Sequence, residues 1–127
     1  MSENLDRKGS PVTIKRDDDI GAYTVSYEDS GIVGRSFFKN SESEEKSRIF
    51  YHVEVNEEFG GRGLASLLVN ASLEEAIRDS ITVVPLCPVY VGYLDKNGQD
   101  FVATGGSFRA ANREEKVMIS KLVRKSK

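Results

Sequence analysis

The sequence predicts a mixed α/β (α+β) domain in which an antiparallel meander leads into a helix, then an apolar strand, then a short C-terminal helix. Three features carry this. Short segments separated by turn residues fill the first 55 positions, and one of them sets Tyr23, Val25 and Tyr27 against Ala22, Thr24 and Ser26 with period two, as a half-buried strand requires. The period changes to helical spacing after a cluster of glycines at Gly60, Gly61 and Gly63. An unbroken apolar run at 81–86 then reads as a strand covered on both faces.

Residues 1–10 are polar and close on the breaker Gly9-Ser10-Pro11, so they form an expected flexible leader. A short strand follows over 12–16. Asp17-Asp18-Asp19 supplies turn residues, and a strand over 20–28 places Tyr23, Val25 and Tyr27 on one face. After the turn at Asp29-Ser30-Gly31 come a third strand over 32–39, a hairpin loop over 40–46 and a fourth strand over 48–55. Leu64, Leu67, Leu68, Ala71, Ala76 and Ile77 keep helical spacing, with no proline between them, and define a helix over 62–79. Pro85 and Pro88 limit the ladder of the strand over 81–86, and Pro88 suits the first turn of a helix over 89–96, which Asn97-Gly98 should terminate. A strand is expected over 101–104. The basic segment beyond Gly105-Gly106 carries Val117, Met118, Leu122 and Val123 at amphipathic-helix spacing. The organisation expected is therefore a leader (1–10), a domain (11–104) and a basic tail (105–127).

At 127 residues the chain suffices for one hydrophobic core. Its net charge of −2 conceals an asymmetry: residues 105–127 carry +5 and the rest −7. An acidic body argues against nucleic acid as a partner and in favour of a cationic, amine-bearing substrate. No apolar run approaches the roughly 20 residues of a membrane span, so no membrane partner is expected. The N-terminus lacks the basic-then-apolar pattern of an export signal, which makes the cytoplasm the expected compartment. A lone cysteine, Cys87, and a lone histidine, His52, leave neither a metal-ligand cluster nor a Ser-His-Asp relay. No metal and a monomeric state are expected.

The motif Gly60-Gly61-Arg62-Gly63-Leu64-Ala65-Ser66 stands between a strand and a helix. Backbone N–H groups unpaired at a helix N-terminus, reached across glycines, suit phosphate oxygens; the alternative is a glycine turn without a ligand. A P-loop would need Lys and Ser or Thr where Leu64 and Ala65 stand. A dinucleotide fingerprint would need glycine at Ser66 and an acidic residue near Leu86-Cys87.

The order of meander, glycine loop, amphipathic helix, apolar strand and short helix resembles the GNAT superfamily of acyl-CoA-dependent N-acetyltransferases. Its loop pattern, Gln/Arg-x-x-Gly-x-Gly/Ala, is met by Gly63 and Ala65. The stretch from His52-Val53-Glu54-Val55 to Gly63, with Val83-Val84-Pro85-Leu86-Cys87-Pro88 and Tyr93, is similar to its short YjdJ-type branch. The resemblance covers roughly residues 20–103. Gly60 departs from it where Gln or Arg is usual, as does Asn97-Gly98 where His-Pro is common.

The resemblance implies acetyl-CoA as cosubstrate, its pyrophosphate on the amides of Gly61 through Ser66 with a contact from Arg62, and its pantetheine arm along Val53–Val55. It also implies that the strands over 48–55 and 81–86 splay apart. Direct attack by a neutral amine then needs a proton acceptor, for which Glu54 and His52 are the candidates, since strict alternation sets them with Phe50 on one face. The resemblance makes Tyr93 the donor to the departing thiolate, a role its phenol suits. Cys87 reads either as a small buried hydrophobe or as a thiol poised near a helix N-terminus to carry the acetyl group. The competing readings are a CoA-binding module without turnover and a nucleic-acid binder using the basic tail.

Overall fold

The computed structural model of the chain describes residues 4–41 and 46–125. In chain order the elements are β1 (Asn4–Leu5), β2 (Pro11–Asp17), β3 (Ala22–Tyr27), β4 (Gly31–Asn40), β5 (Ser47–Val55), a 3-10 turn (Glu57–Phe59), α1 (Leu64–Arg78), β6 (Thr82–Pro85), α2 (Pro88–Ala103), β7 (Ser107–Phe108) and α3 (Arg113–Lys125). The strands form one seven-stranded sheet in sequential order. It is antiparallel from β1 to β5, and parallel from β5 to β6 and from β6 to β7. Parallel neighbours need long crossovers, and α1 and α2 supply them. Part of the hairpin loop expected over 40–46 lies outside the described residues, as do the first three residues of the leader and the last two of the tail.

Both crossover helices pack on one face of the sheet. Leu64, Leu68, Val69, Leu73 and Ala76 of α1, with Tyr90, Leu94 and Phe101 of α2, bury against Val25, Phe38, Phe50 and Val83. Because side chains alternate across a strand, Ile49 and Val84 face the other way, where Ile119 of α3 covers them. α3 begins at a reciprocal cap: the Glu115 amide donates to Asn112 Oδ1 (2.8 Å), and the Asn112 amide donates to Glu115 Oε1 (2.9 Å). A two-pronged Arg109 contact holds the same carboxylate below its usual range against the opposing effect of burial. The basic segment is thus anchored to the sheet by β7 and by Ile119.

Two expectations are corrected here. Asn97-Gly98 does not end a helix; α2 runs through it to Ala103, and the residues expected as a strand over 101–104 are its last turn and C-cap. The reason is packing. Gly98 is buried, and a Cβ there would lie 2.8 Å from Phe108 Cζ, so the glycine admits the β7 side chain to the helix surface. Residues 4–10, which their polar composition assigns to a leader, form β1 and a turn closed on the buried Asp6.

Candidate functional site

Between β5 and β6 the sheet opens. Their pairing runs from Ser47↔Thr82 to Phe50↔Pro85 and stops. The amides of Leu86 and Cys87 both donate to the Phe50 carbonyl, each at 2.9 Å, and the two chains then diverge. On its other side β5 continues along β4, but the register passes from Phe38↔Phe50 to Phe37↔His52 and leaves Tyr51 without a β4 partner. This is a β-bulge, which bends its strand and redirects the side chains beyond it. Five residues of β5, 51–55, therefore extend past the last β6 pair. Among the described residues none is registered against that edge.

The bulge also corrects the face assigned to Phe50. Strict alternation would set Phe50, His52 and Glu54 together. Instead Phe50 is buried under the helices and stacks on Tyr90, with centroids 4.5 Å apart. Val53 and Val55 pack towards that same core, while His52 and Glu54 are exposed. His52 stacks on Phe37, its partner across the ladder.

The glycine loop closes the N-terminal end of α1. The Gly60 amide donates to the Glu57 carbonyl and completes the 3-10 turn. Gly61 takes a positive φ of 78°, and a Cβ added there would meet nothing within 4 Å, so the chain faces open space. Gly63, at the N-cap position with φ 76°, provides no side-chain cap. The amides of Leu64, Ala65 and Ser66 open the helix without intrahelical acceptors, next to the positive end of its dipole. Leu64 itself is buried and anchors the first turn in the core. Arg62 is engaged elsewhere: its guanidinium lies over the Phe59 and Tyr27 rings, at 4.9 and 5.5 Å, and 3.8 Å from Asp6.

Cys87 is buried at the N-cap of α2, with its amide on Phe50. Tyr93, in the second turn of that helix, is half-buried against the core. Between them Tyr90 is fully buried, its hydroxyl 2.7 Å from both Ser36 Oγ and Ser72 Oγ. Burial pushes its phenol up to about 12, and neighbouring Cys87 acts the same way, against the two serine hydrogen bonds. Tyr90 and the Tyr51 bulge are missing from the sequence-derived site. Tyr90 reads as a helical core position, and a bulge has no residue signature of its own. Among the described residues no group of three or more His, Cys, Asp or Glu is placed to hold a metal ion, and no helix is long and apolar enough to cross a membrane.

A family model described as "GCN5-related N-acetyl-transferase" matches residues 22–103. Among solved structures, the fold is similar to that of an acetyltransferase of the GNAT family from Listeria monocytogenes. The TM-score is 0.53 at 10% identity, covering 88% of this chain and 95% of that one. No curated protein matches the sequence. The matched segment contains the bulge, the opening between β5 and β6, the glycine loop and all of α2.

Proposed function

As this chain belongs to the GCN5-related N-acetyltransferase family, we propose that it transfers an acetyl group from acetyl-CoA to an amine by direct attack. The observation that carries the reading is the conjunction of an uncapped α1 N-terminus behind an open glycine turn with an unpaired β5 edge at residues 51–55. These features fit the two chemistries of the cosubstrate. Backbone donors at a positive helix end suit its pyrophosphate, and an unpaired strand edge suits the amides of its pantetheine arm, which can add to the sheet as a strand would.

In this reading the amides from Gly61 to Ser66 hold the pyrophosphate, and the edge at Val53–Val55 aligns the arm. The thioester comes to rest near the point where β5 and β6 part. The amine nitrogen attacks the thioester carbonyl, the C–S bond breaks, Glu54 takes the proton the amine loses, and Tyr93 protonates the departing thiolate. His52, held on Phe37, is the alternative acceptor. Burial of Cys87 supports direct transfer, since a relay through sulfur would need that thiol exposed to the thioester. The acidic body favours a cationic acceptor, and the chain acts as a monomer in the cytoplasm.

The test is release of free CoA thiol from acetyl-CoA across a panel of amines, with the amide shifts of residues 60–66 followed by NMR. Turnover with shifts confined to the loop and β5 supports the reading. Binding without thiol release on any amine would leave a CoA-binding module, and no binding at all would remove the assignment. Cys87→Ala should retain most turnover, whereas Glu54→Gln should lose roughly 100-fold or more, as expected for a general base. A stoichiometric acetyl adduct on Cys87, discharged by amine, would overturn direct attack.

A further inference from the structure

We propose that Arg7, delivered by the N-terminal segment, is a ligand for the pyrophosphate at the α1 N-terminus; the inference rests on the acetyl-CoA reading above. The segment is fixed to the loop by its backbone. The Arg7 amide donates to the Arg62 carbonyl at 3.0 Å, and β1 pairs with β2 at Asn4↔Val12 and Leu5↔Pro11. Asp6 is the buried hub of the turn. Its Oδ1 accepts from the amides of Lys8 and Ser10, each at 2.9 Å, and its Oδ2 accepts from the Tyr27 hydroxyl. In this turn the Asp6 side chain is buried while the Arg7 side chain lies across Gly63. A Cβ on that glycine would lie 3.2 Å from Arg7 Cγ and 3.1 Å from Arg7 Nε.

This placement is electrostatically unfavourable on its own. A guanidinium beside the first turn of a helix sits at the positive end of the helix dipole, where anions are favoured and cations are not. Among the described residues no carboxylate pairs with Arg7; the adjacent Asp6 already serves Tyr27, Arg62 and two amides. A phosphate anion between Arg7 and the amides of Leu64, Ala65 and Ser66 would satisfy both sets of donors at once. Arg7 would thereby supply the cation that the loop lacks, because Gly60 has no side chain and Arg62 is held over Phe59 and Tyr27. The ligand class is a pyrophosphate diester.

The experiment titrates CoA, dephospho-CoA and pantetheine into the full chain and into Arg7→Gln and Arg7→Lys. Arg7 is exposed, so both variants should melt like the unliganded wild type. For Arg7→Gln we expect CoA and dephospho-CoA to bind roughly tenfold or more weakly, the range of a charge-assisted hydrogen bond, and pantetheine to bind unchanged. Arg7→Lys should recover part of the loss. If the wild type binds CoA and Arg7→Gln binds it equally well, the assignment of Arg7 fails and the acetyl-CoA reading stands. A loss shared by pantetheine would make the segment a packing element, and a loss absent with dephospho-CoA would move the contact to the 3′-phosphate; either overturns the proposal. A wild type that binds no CoA removes both readings.

Discussion

Tyr90 links the core to the point where β5 and β6 part, and replacing it with phenylalanine separates its two contributions. The ring stacks on Phe50, whose carbonyl receives the last two amides before the strands diverge; phenylalanine keeps that stack and its apolar burial. The hydroxyl lies 2.7 Å from Ser36 Oγ and from Ser72 Oγ. Ser72 retains its bond to the Val69 carbonyl, so its loss is about 1 kcal/mol, the net worth of an ordinary hydrogen bond. Ser36 is fully buried, and among the described residues Tyr90 is the partner of its hydroxyl, so the orphaned group adds about 1–2 kcal/mol. Tyr90→Phe should therefore cost about 2–3 kcal/mol, read as a lower urea midpoint at unchanged slope. Replacing Ser36 and Ser72 by alanine in the same chain should restore most of it, since removing all partners leaves no orphan. The pH dependence has a definite sign. A phenol raised in the folded state contributes stability that is complete below the free phenol value of 10.0 and lost as pH rises towards about 12. Tyr90→Phe should shallow the alkaline limb by one proton. A loss below about 0.5 kcal/mol, or a triple variant no more stable than Tyr90→Phe, would refute the reasoning.

Gly98→Ala should destabilise the wild type, because the new methyl meets the Phe108 ring. In a Phe108→Ala background it should stabilise by up to about 1 kcal/mol through helix propensity, and additive effects in a double-mutant cycle would disprove the contact. Ile119→Ala should cost about 2 kcal/mol, and a chain ending at Gly106 should lose more, because Ile49 and Val84, both fully buried, would be exposed; truncation without change in the denaturation midpoint would show that α3 does not stabilise the sheet.

What the sequence made legible was what periodicity and turn chemistry govern. The meander follows from turn residues between short β-rich segments, with alternation clear over 20–28, and α1 from its apolar spacing; the observed bounds differ by one to two residues at most ends. Pro88 correctly opens α2, because a missing N–H costs nothing at a first helical position. Asn97-Gly98 misled because a local rule for helix ends was applied where a tertiary contact decides. Nothing near Gly98 in sequence reveals that Phe108 will pack there, and the stop lies instead beyond Thr104, at Gly105 with its φ of 105°. The Tyr51 bulge was illegible for a related reason: it is a relation between two strands. One unpaired residue sufficed to reverse the face assigned to everything after Phe50. The role of the polar N-terminal segment was hidden as well, since the hydrogen bond from Tyr27 and the ion pair with Arg62 that hold Asp6 come from residues distant in sequence.

The bulge and the opening between β5 and β6 act as parts of one device. Had β5 run on regularly beyond Phe50, β6 could have continued to pair with it, and the edge at residues 51–55 would be consumed by the sheet. Instead the Phe50 carbonyl takes both Leu86 and Cys87, which ends the parallel ladder and turns the chain into α2. Pro85 and Pro88 reinforce the ending, because neither can donate to a further ladder. Opposite that carbonyl, the bulge at Tyr51 bends β5 while its bonds to β4 resume at His52 and hold the strand in place. The acetyl-CoA reading proposed above asks for an edge that is rigid on one side and unpaired on the other. In this fold β4 supplies the rigidity, while the two prolines and the shared carbonyl keep the second side open. Tyr90, stacked on Phe50 and bonded to Ser36 and Ser72, holds the start of α2 against the sheet at that same point. The opening is thus fixed by covalent and hydrogen-bonding constraints within the chain itself.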